Sequence, residues 1–211
     1  MQIIEPSPPT GSDFFNSLWK TQTWINILYL LLSFPLGIFY FVVLVTGISL
    51  GFGLLITIVG IFILMGVMLL VHLFARFEIQ LANALLGFQI RPAQIENSGG
   101  GFWKRLREKL RSPLTWKGLL FLFLRFPMGI LAFSLTVSLL AASIGMISLP
   151  FIYQEPWFDM DWGYHSFWHI DSISETIVVA FFGIILVFTS LYVFNVLAWA
   201  YGKLVKVLLG E

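Results

Sequence analysis

The sequence of 211 residues contains no cysteine and little charge. Without cysteine there can be no disulfide, no thiolate metal site and no cysteine nucleophile. Asp, Glu, Lys and Arg make up 11% of the residues, less than half of the about 25% that is usual in soluble domains. Hydrophobic residues make up 58%, which is more than a chain of this size buries in a soluble fold. The composition excludes a soluble globular domain, a disordered chain and a basic nucleic-acid-binding domain, and it predicts an integral membrane protein.

Long apolar segments alternate with short charged ones, and a segment of about 20 apolar residues is enough to cross a bilayer. Residues 21–75 contain no Asp, Glu, Lys or Arg, which leaves room for two spans. We place these at about 25–46 and 53–75, with a glycine-rich turn near 46–53, and two more at about 117–149 and 176–200. Because open sheet edges are not tolerated in lipid, the spans are expected to be helices and the fold all-α.

The basic residues lie on one side of the predicted spans. Lys and Arg occur near both termini and between spans two and three, whereas the loop at 151–175 carries acidic residues and no Lys or Arg. Lys and Arg stay preferentially in the cytoplasm. We therefore expect a multi-pass protein of the cell membrane with both termini in the cytoplasm and the loop at 151–175 outside it.

The sequence also repeats itself. Thr-Trp followed by Phe-Pro-x-Gly-Ile occurs within 23–38 and again within 115–130, with an offset of 92 at each matched position. Leu-Leu-Gly at 85–87 matches 208–210 with an offset of 123, so the second copy has an insertion of 31 residues (123 − 92) in its outer loop. We predict a tandem duplication of a two-helix hairpin, related by a pseudo-twofold axis along the membrane normal.

These repeats divide the chain. The hairpins are predicted at 14–90 and 102–211, joined by a glycine-rich loop at 91–101 and preceded by a disordered tail at 1–13. Pro35 and Pro127 occupy matched positions, and each removes a backbone donor and is expected to kink its helix. The kinks are either a shared packing feature or a hinge for signal transfer.

Amphipathic interfacial helices are predicted on the cytoplasmic side. Residues 102–111 combine apolar positions at helical spacing with a basic face, and residues 76–86 are expected to extend span two as an amphipathic tail. Such helices lie in the interface and favour the anionic lipids of the inner leaflet. They act as a membrane anchor or as a platform for a cytoplasmic protein partner. The lipid-interface candidates are Trp103, Lys104, Arg105, Arg107, Lys109 and Arg111.

Two polar residues fall inside predicted spans. Arg125 either snorkels or pairs with another side chain, and the sharper alternative is contact with an anionic ligand. His72 is either hydrogen-bonded within the bundle or a haem ligand, but no second in-plane histidine accompanies it. No acidic residue falls inside a predicted span, which argues against a proton relay or a coupled-ion site.

The outer loop is the most distinctive segment of the sequence. His165 and His169 are four residues apart, so a helix would place both on one face as candidates for zinc ligation. The aromatic residues of the loop suit either an outer lipid surface or a lid over a ligand. No catalytic motif and no cofactor site is predicted. The ligand or lid candidates are Trp157, Asp159, Asp161, Trp162, His165, Trp168 and His169.

The segment 34–38 (Phe-Pro-Leu-Gly-Ile) and the segment 45–53 resemble the prokaryotic putative sensor domain. Residues 75–78, residues 85–87 and the second Phe-Pro-x-Gly resemble it too, so the resemblance covers about 14–210. It implies a four-span membrane module of the kind that precedes sensor histidine kinases and also occurs alone. No kinase region follows, so we expect a stand-alone chain with a separate partner.

The resulting hypothesis is a non-catalytic membrane sensor or signal-relay module that passes an envelope or lipid signal to a cytoplasmic partner. One alternative is a structural or accessory subunit of a larger membrane protein complex. A second is a small transporter or cofactor-binding membrane protein, which needs polar groups at mid-depth.

Overall fold

Four long helices make up most of the computed structural model, which describes residue 9 and residues 17–91, 113–152 and 173–210. They are α1 (Thr21–Gly53), α2 (Ile58–Leu86), α3 (Pro113–Ile152) and α4 (Ile173–Leu209). Each is long and apolar enough to cross a membrane. The prediction of an all-α, multi-pass membrane protein with four spans is confirmed.

The turn between α1 and α2 lies later in the chain than the glycines suggest. The prediction of a turn near 46–53 is wrong, because α1 continues to Gly53 and the chain reverses at 54–57. The glycines serve packing instead. A Cβ on Gly47 would lie 2.5 Å from Val67 Cγ2, and one on Gly51 would lie 2.5 Å from Leu64 Cδ2. Their missing side chains let α2 lie close against α1.

The end of α2 also differs from the expected surface tail. Residues 76–86 continue the helix, but Phe77 is 44% exposed while Glu78 and Ala82 are fully buried in the bundle. The helix ends at Gly87, whose φ of 71° is the left-handed conformation that favours glycine. The amide of Asn83 then bonds both backbone groups of Ile90, so the chain turns back along α2. This part of α2 belongs to the core.

The two hairpins meet through glycines of the repeated motif. A Cβ on Gly37 would lie 2.9 Å from the carbonyl oxygen of Arg125, and one on Gly129 would lie 2.6 Å from that of Ser33. The offset of 92 converts Ser33 into Arg125 and Gly37 into Gly129, so the two contacts are exchanged by the repeat. Backbone therefore lies against backbone where α1 and α3 approach each other, and we refer to this point of close approach as the crossing of the two helices.

Aromatic pairs repeat the same exchange on either side of this crossing. The rings of Phe34 and Phe133 stack with centroids 4.8 Å apart, and those of Phe41 and Phe126 stack at 4.6 Å. Both pairs are again related by the offset of 92. The reciprocal contacts show a pseudo-twofold relation between the hairpins. Its direction along the membrane normal stays a prediction, as do the kinks at Pro35 and Pro127, through which α1 and α3 continue.

Candidate functional site: a buried ion pair at the hairpin crossing

Arg125 pairs with an acidic residue from the other hairpin. Its Nη2 lies 3.2 Å from Oε2 of Glu78, and both side chains are completely shielded from solvent. Arg125 comes from α3 and Glu78 from α2, so the pair joins the second hairpin to the first. Of the sequence-based alternatives for Arg125, the structure shows pairing with another side chain.

The prediction that no acidic residue lies in a span is wrong, because Glu78 lies inside α2. It lies eight residues before the last residue of α2, or about 12 Å along the helix. The charge-free run ends at Arg76, so the sequence alone places Glu78 in the interfacial tail. An arginine at a matching depth removes the main obstacle to burying a carboxylate, because the two charges compensate each other.

Two tyrosines flank the guanidinium group of Arg125. Its Cζ lies 5.0 Å from the ring centroid of Tyr29 and 5.1 Å from that of Tyr201. The two rings stand edge to face, with centroids 6.2 Å apart and an angle of 77° between their planes. A cation within about 6 Å of an aromatic face is attracted by the ring quadrupole. The arginine is therefore held by α1 and α4 as well as by Glu78.

A third tyrosine, Tyr40 on α1, completes the site and is 1% exposed. Its ring packs on Phe74 with centroids 4.8 Å apart, and its hydroxyl adds a polar group on the side of Glu78. We refer to these five side chains, contributed by all four helices, as the charged cluster: Tyr29, Tyr40, Glu78, Arg125 and Tyr201.

The charged cluster leaves many polar atoms without hydrogen bonds. Among the described residues, none of the three tyrosine hydroxyls, neither oxygen of Glu78 and no nitrogen of Arg125 has a hydrogen bond of good geometry. Buried polar groups normally find partners, and each one left without costs about 1–3 kcal/mol. In the charged cluster these atoms lie beside one another, but the ion pair and the ring contacts hold the site together more than well-formed hydrogen bonds do.

The pseudo-twofold relates the charged pair to a pair of residues without charge. An offset of 92 relates Arg125 to Ser33, and an offset of 123 relates Glu78 to Tyr201. The pseudo-symmetric counterparts of both charged residues are therefore uncharged. The two hairpins, similar along most of their length, diverge at the position where they cross.

A second polar group, the amide cluster, lies between α1, α4 and the end of α2. Asn26 donates to the amide oxygen of Asn195 at 2.8 Å, and Asn195 donates to the hydroxyl of Thr23 at 3.2 Å. Gln22 donates to Asn26 at 3.0 Å and to the carbonyl of Leu85 at 2.7 Å. This network borders a cavity of about 240 Å³. The sequence analysis gives no prediction for this cluster, although Asn26 and Asn195 interrupt apolar runs and so carry a signal for it.

His72 fits the hydrogen-bonded alternative. Its Nδ1 donates to the carbonyl oxygen of Met68 at 2.7 Å, one turn earlier in α2. Within the described ranges, no group of three or more His, Asp or Glu side chains is placed to hold a metal ion.

The remaining sequence-based candidates lie outside the described residues. This holds for the outer loop, including the proposed histidine pair, and for the basic interfacial helix. The residues concerned are Trp103, Lys104, Arg105, Arg107, Lys109, Arg111, Trp157, Asp159, Asp161, Trp162, His165, Trp168 and His169.

Comparison with known proteins adds one finding. The family model described as "Putative sensor" matches residues 29–209, which include most of α1, all of α2, α3 and α4, and the whole charged cluster. No curated protein and no solved structure matches the chain.

Proposed function

Because the chain belongs to the family described as "Putative sensor", we propose that it is a non-catalytic membrane sensor module that passes an envelope or lipid signal to a cytoplasmic protein partner. The observation that carries the proposal is the charged cluster. Its ion pair connects the two hairpins within the membrane-spanning helices, close to the point where α1 and α3 cross. A relative movement of the hairpins at this point changes the distance between the two buried charges, and with it their strong electrostatic attraction.

A sensor of this kind needs two arrangements that differ by a few kcal/mol. The crossing offers a pivot for such a movement, because backbone packs on backbone at Gly37 and Gly129 and the stacked phenylalanine rings lie on either side. The ion pair of Arg125 and Glu78 favours one arrangement. The poorly formed hydrogen bonds around the pair reduce the free-energy difference between the two arrangements, so that a modest signal suffices to change their populations.

The route of the signal follows the helices of the second hairpin. The outer loop connects α3 to α4, and both of these helices contribute to the charged cluster through Arg125 and Tyr201. A ligand or a change in the bilayer that displaces the outer ends of α3 and α4 therefore acts on the cluster. With both termini in the cytoplasm, the end of α4 at Leu209 would present the result to the partner.

The experiment is a pull-down of the tagged chain from native membranes in mild detergent, with and without residues 154–174. We expect a cytoplasmic signalling protein to copurify with the full chain and its activity to lose its response to envelope stress when the loop is deleted. Unchanged signalling after the deletion would remove the loop as the point of entry. Recovery of membrane subunits alone, in fixed proportion, would refute the sensor proposal.

That last outcome describes the second candidate function, an accessory subunit of a larger membrane complex. One observation favours it. Ser138, Ala141 and Gly145 are exposed on one side of α3, and a Cβ on Gly145 would meet nothing within 4 Å. Small residues on a membrane helix allow a second helix to approach closely. A complex that survives purification with constant stoichiometry in native mass spectrometry would support this function.

A further inference from the structure

We propose that Glu78 is a proton-binding site and that a proton taken up there releases the contact between the two hairpins. The inference rests on the proposed sensor function and adds its chemical input, the proton. The geometry that carries it is a carboxylate buried among four helices and paired with one cation, with the hydroxyl of Tyr40 beside it and no well-formed hydrogen bond from a described residue.

The surroundings of Glu78 contain few other charges. From α3 it faces Arg125, from α1 the hydroxyls of Tyr29 and Tyr40, and from α4 that of Tyr201. On its own helix, His72 is partly buried more than one turn away and Arg76 is exposed. The state of the carboxyl is therefore set by two opposed influences. Burial disfavours its charged form, and Arg125 favours it.

Proton uptake is balanced within the cluster. A proton from water adds to one oxygen of Glu78, so the carboxylate becomes a neutral carboxylic acid and the net charge of the cluster changes from zero to +1. Arg125 does not lose its proton in proteins, so an uncompensated guanidinium is left in the bundle. The rings of Tyr29 and Tyr201 attract it but carry no negative charge to replace the carboxylate.

An uncompensated buried cation favours any movement that brings it to water. A long arginine side chain reaches an interface from within a span when the packing above it loosens. For Arg125 this requires α3 to shift against α1 and α2, which it contacts at the crossing and through the ion pair. The protonated state is therefore the state in which the hairpins are less tightly held.

The test uses the absence of cysteine in this chain. Val71→Cys with Gly118→Cys reports on the distance between hairpins, since a Cβ at position 118 would lie 3.3 Å from Cγ1 of Val71. Gly47→Cys with Val67→Cys is the matched control within one hairpin, where the two Cβ atoms would be 3.9 Å apart. The ratio of the two disulfide-formation rates cancels the general effect of pH on thiols.

We expect this ratio to fall several-fold when the pH of the purified protein is lowered from about 9 to about 5, through titration of the buried carboxyl. Glu78→Gln is expected to give the low ratio at every pH. A ratio that stays constant with pH in the parent but is low in the variant would show that Glu78 remains charged. A ratio that the variant leaves unchanged would show that the pair does not hold the hairpins together. Either result overturns the proposal.

A second measurement covers the case in which Glu78→Gln fails to fold. Infrared difference spectra of the parent between the two pH values are expected to show a carboxylic-acid band from a group shielded from water. The band should be absent in the double variant Glu78→Gln with Arg125→Gln, which buries no charge. A spectrum without the band refutes proton binding. All of these experiments use the isolated protein, so their failure is distinct from failure to find a signalling partner.

Discussion

Removing one charge of the buried pair is predicted to cost far more than removing both. At 3.2 Å between Nη2 and Oε2, the Coulomb attraction at an effective dielectric constant of about 20 is about 5 kcal/mol. This agrees with the about 3–5 kcal/mol that is lost when one partner of a buried pair is removed. We therefore expect Glu78→Gln to lower the free energy of unfolding by about 3–5 kcal/mol.

Removing Arg125 leaves a less unfavourable group in the bundle than removing Glu78 does, because an isolated carboxyl can be neutralised and an isolated guanidinium cannot. Glu78 without Arg125 becomes neutral by binding a proton, whereas Arg125 without Glu78 has no such escape. Arg125→Gln also removes two cation–π contacts, each worth up to about 2 kcal/mol when desolvated. Apart from the loss of these contacts, we expect Arg125→Gln to cost less than Glu78→Gln, and we expect the double variant, which also lacks the contacts but buries no charge, to cost less than either single variant.

The assay is a double-mutant cycle of unfolding in mixed detergent micelles near neutral pH. The cycle gives the coupling energy directly if each single variant stays folded in the absence of denaturant. Costs that are small and additive in the double variant would mean that water already separates the two charges. A cost of Arg125→Gln that exceeds that of Glu78→Gln by more than about 4 kcal/mol, the most that its two cation–π contacts are worth, would refute the argument that the carboxyl escapes by protonation.

Three further predictions concern the glycine contact, the amide cluster and the topology. Gly129→Ala is expected to cost about 1–3 kcal/mol, because the new methyl group overlaps backbone of α1, whereas Gly145→Ala meets nothing and costs little; unfolding of the two variants should separate them. Asn195→Leu should lower stability by about 0.6–2 kcal/mol through loss of interhelical hydrogen bonds, measured in the same assay. In whole cells, an impermeant maleimide should label Ser166→Cys but not Ser98→Cys, since only the first lies on the outer side of the predicted topology.

The fold was predictable because it follows from solvent and length. Apolar runs long enough to cross a bilayer must become helices, whatever their β propensity, and all four were recognised. The position of the first turn was not, because glycine has two uses that the sequence does not separate. Gly47 and Gly51 give space for α2, and the chain reverses only after Gly53, at residues that carry no turn signature.

Only one of the two charged residues of the site could be predicted from the sequence. Arg125 stood out as a charge inside an apolar run, but Glu78 was missed because it follows Arg76, where the charge-free run ends. The repeat held the missing signal. Its offset of 123 aligns Glu78 with Tyr201, and Tyr201 belongs to a charge-free run in α4. Carried through, that alignment extends span two beyond Arg76 and places a carboxylate inside it.

The tyrosines could not have been assigned from the sequence by any such route. Tyrosine suits the membrane interface and the buried core equally well, since it has an apolar ring and a polar tip. Their role depends on how the hairpins cross, and that crossing is set by contacts between residues about 90 positions apart, such as Ser33 with Gly129. Local patterns carry no information on such a contact until the angle between the helices is known.

The asymmetry of the charged cluster is the strongest reason to connect it with function. The glycine and phenylalanine contacts at the crossing are present on both sides of the pseudo-twofold. The ion pair exists on one side only, with Ser33 and Tyr201 at the equivalent positions. Ser33 and Tyr201 are buried on the uncharged side, so helix packing there takes place without a charged pair. A buried charged pair that occurs on one side only and joins the two hairpins is best explained by what it allows the hairpins to do.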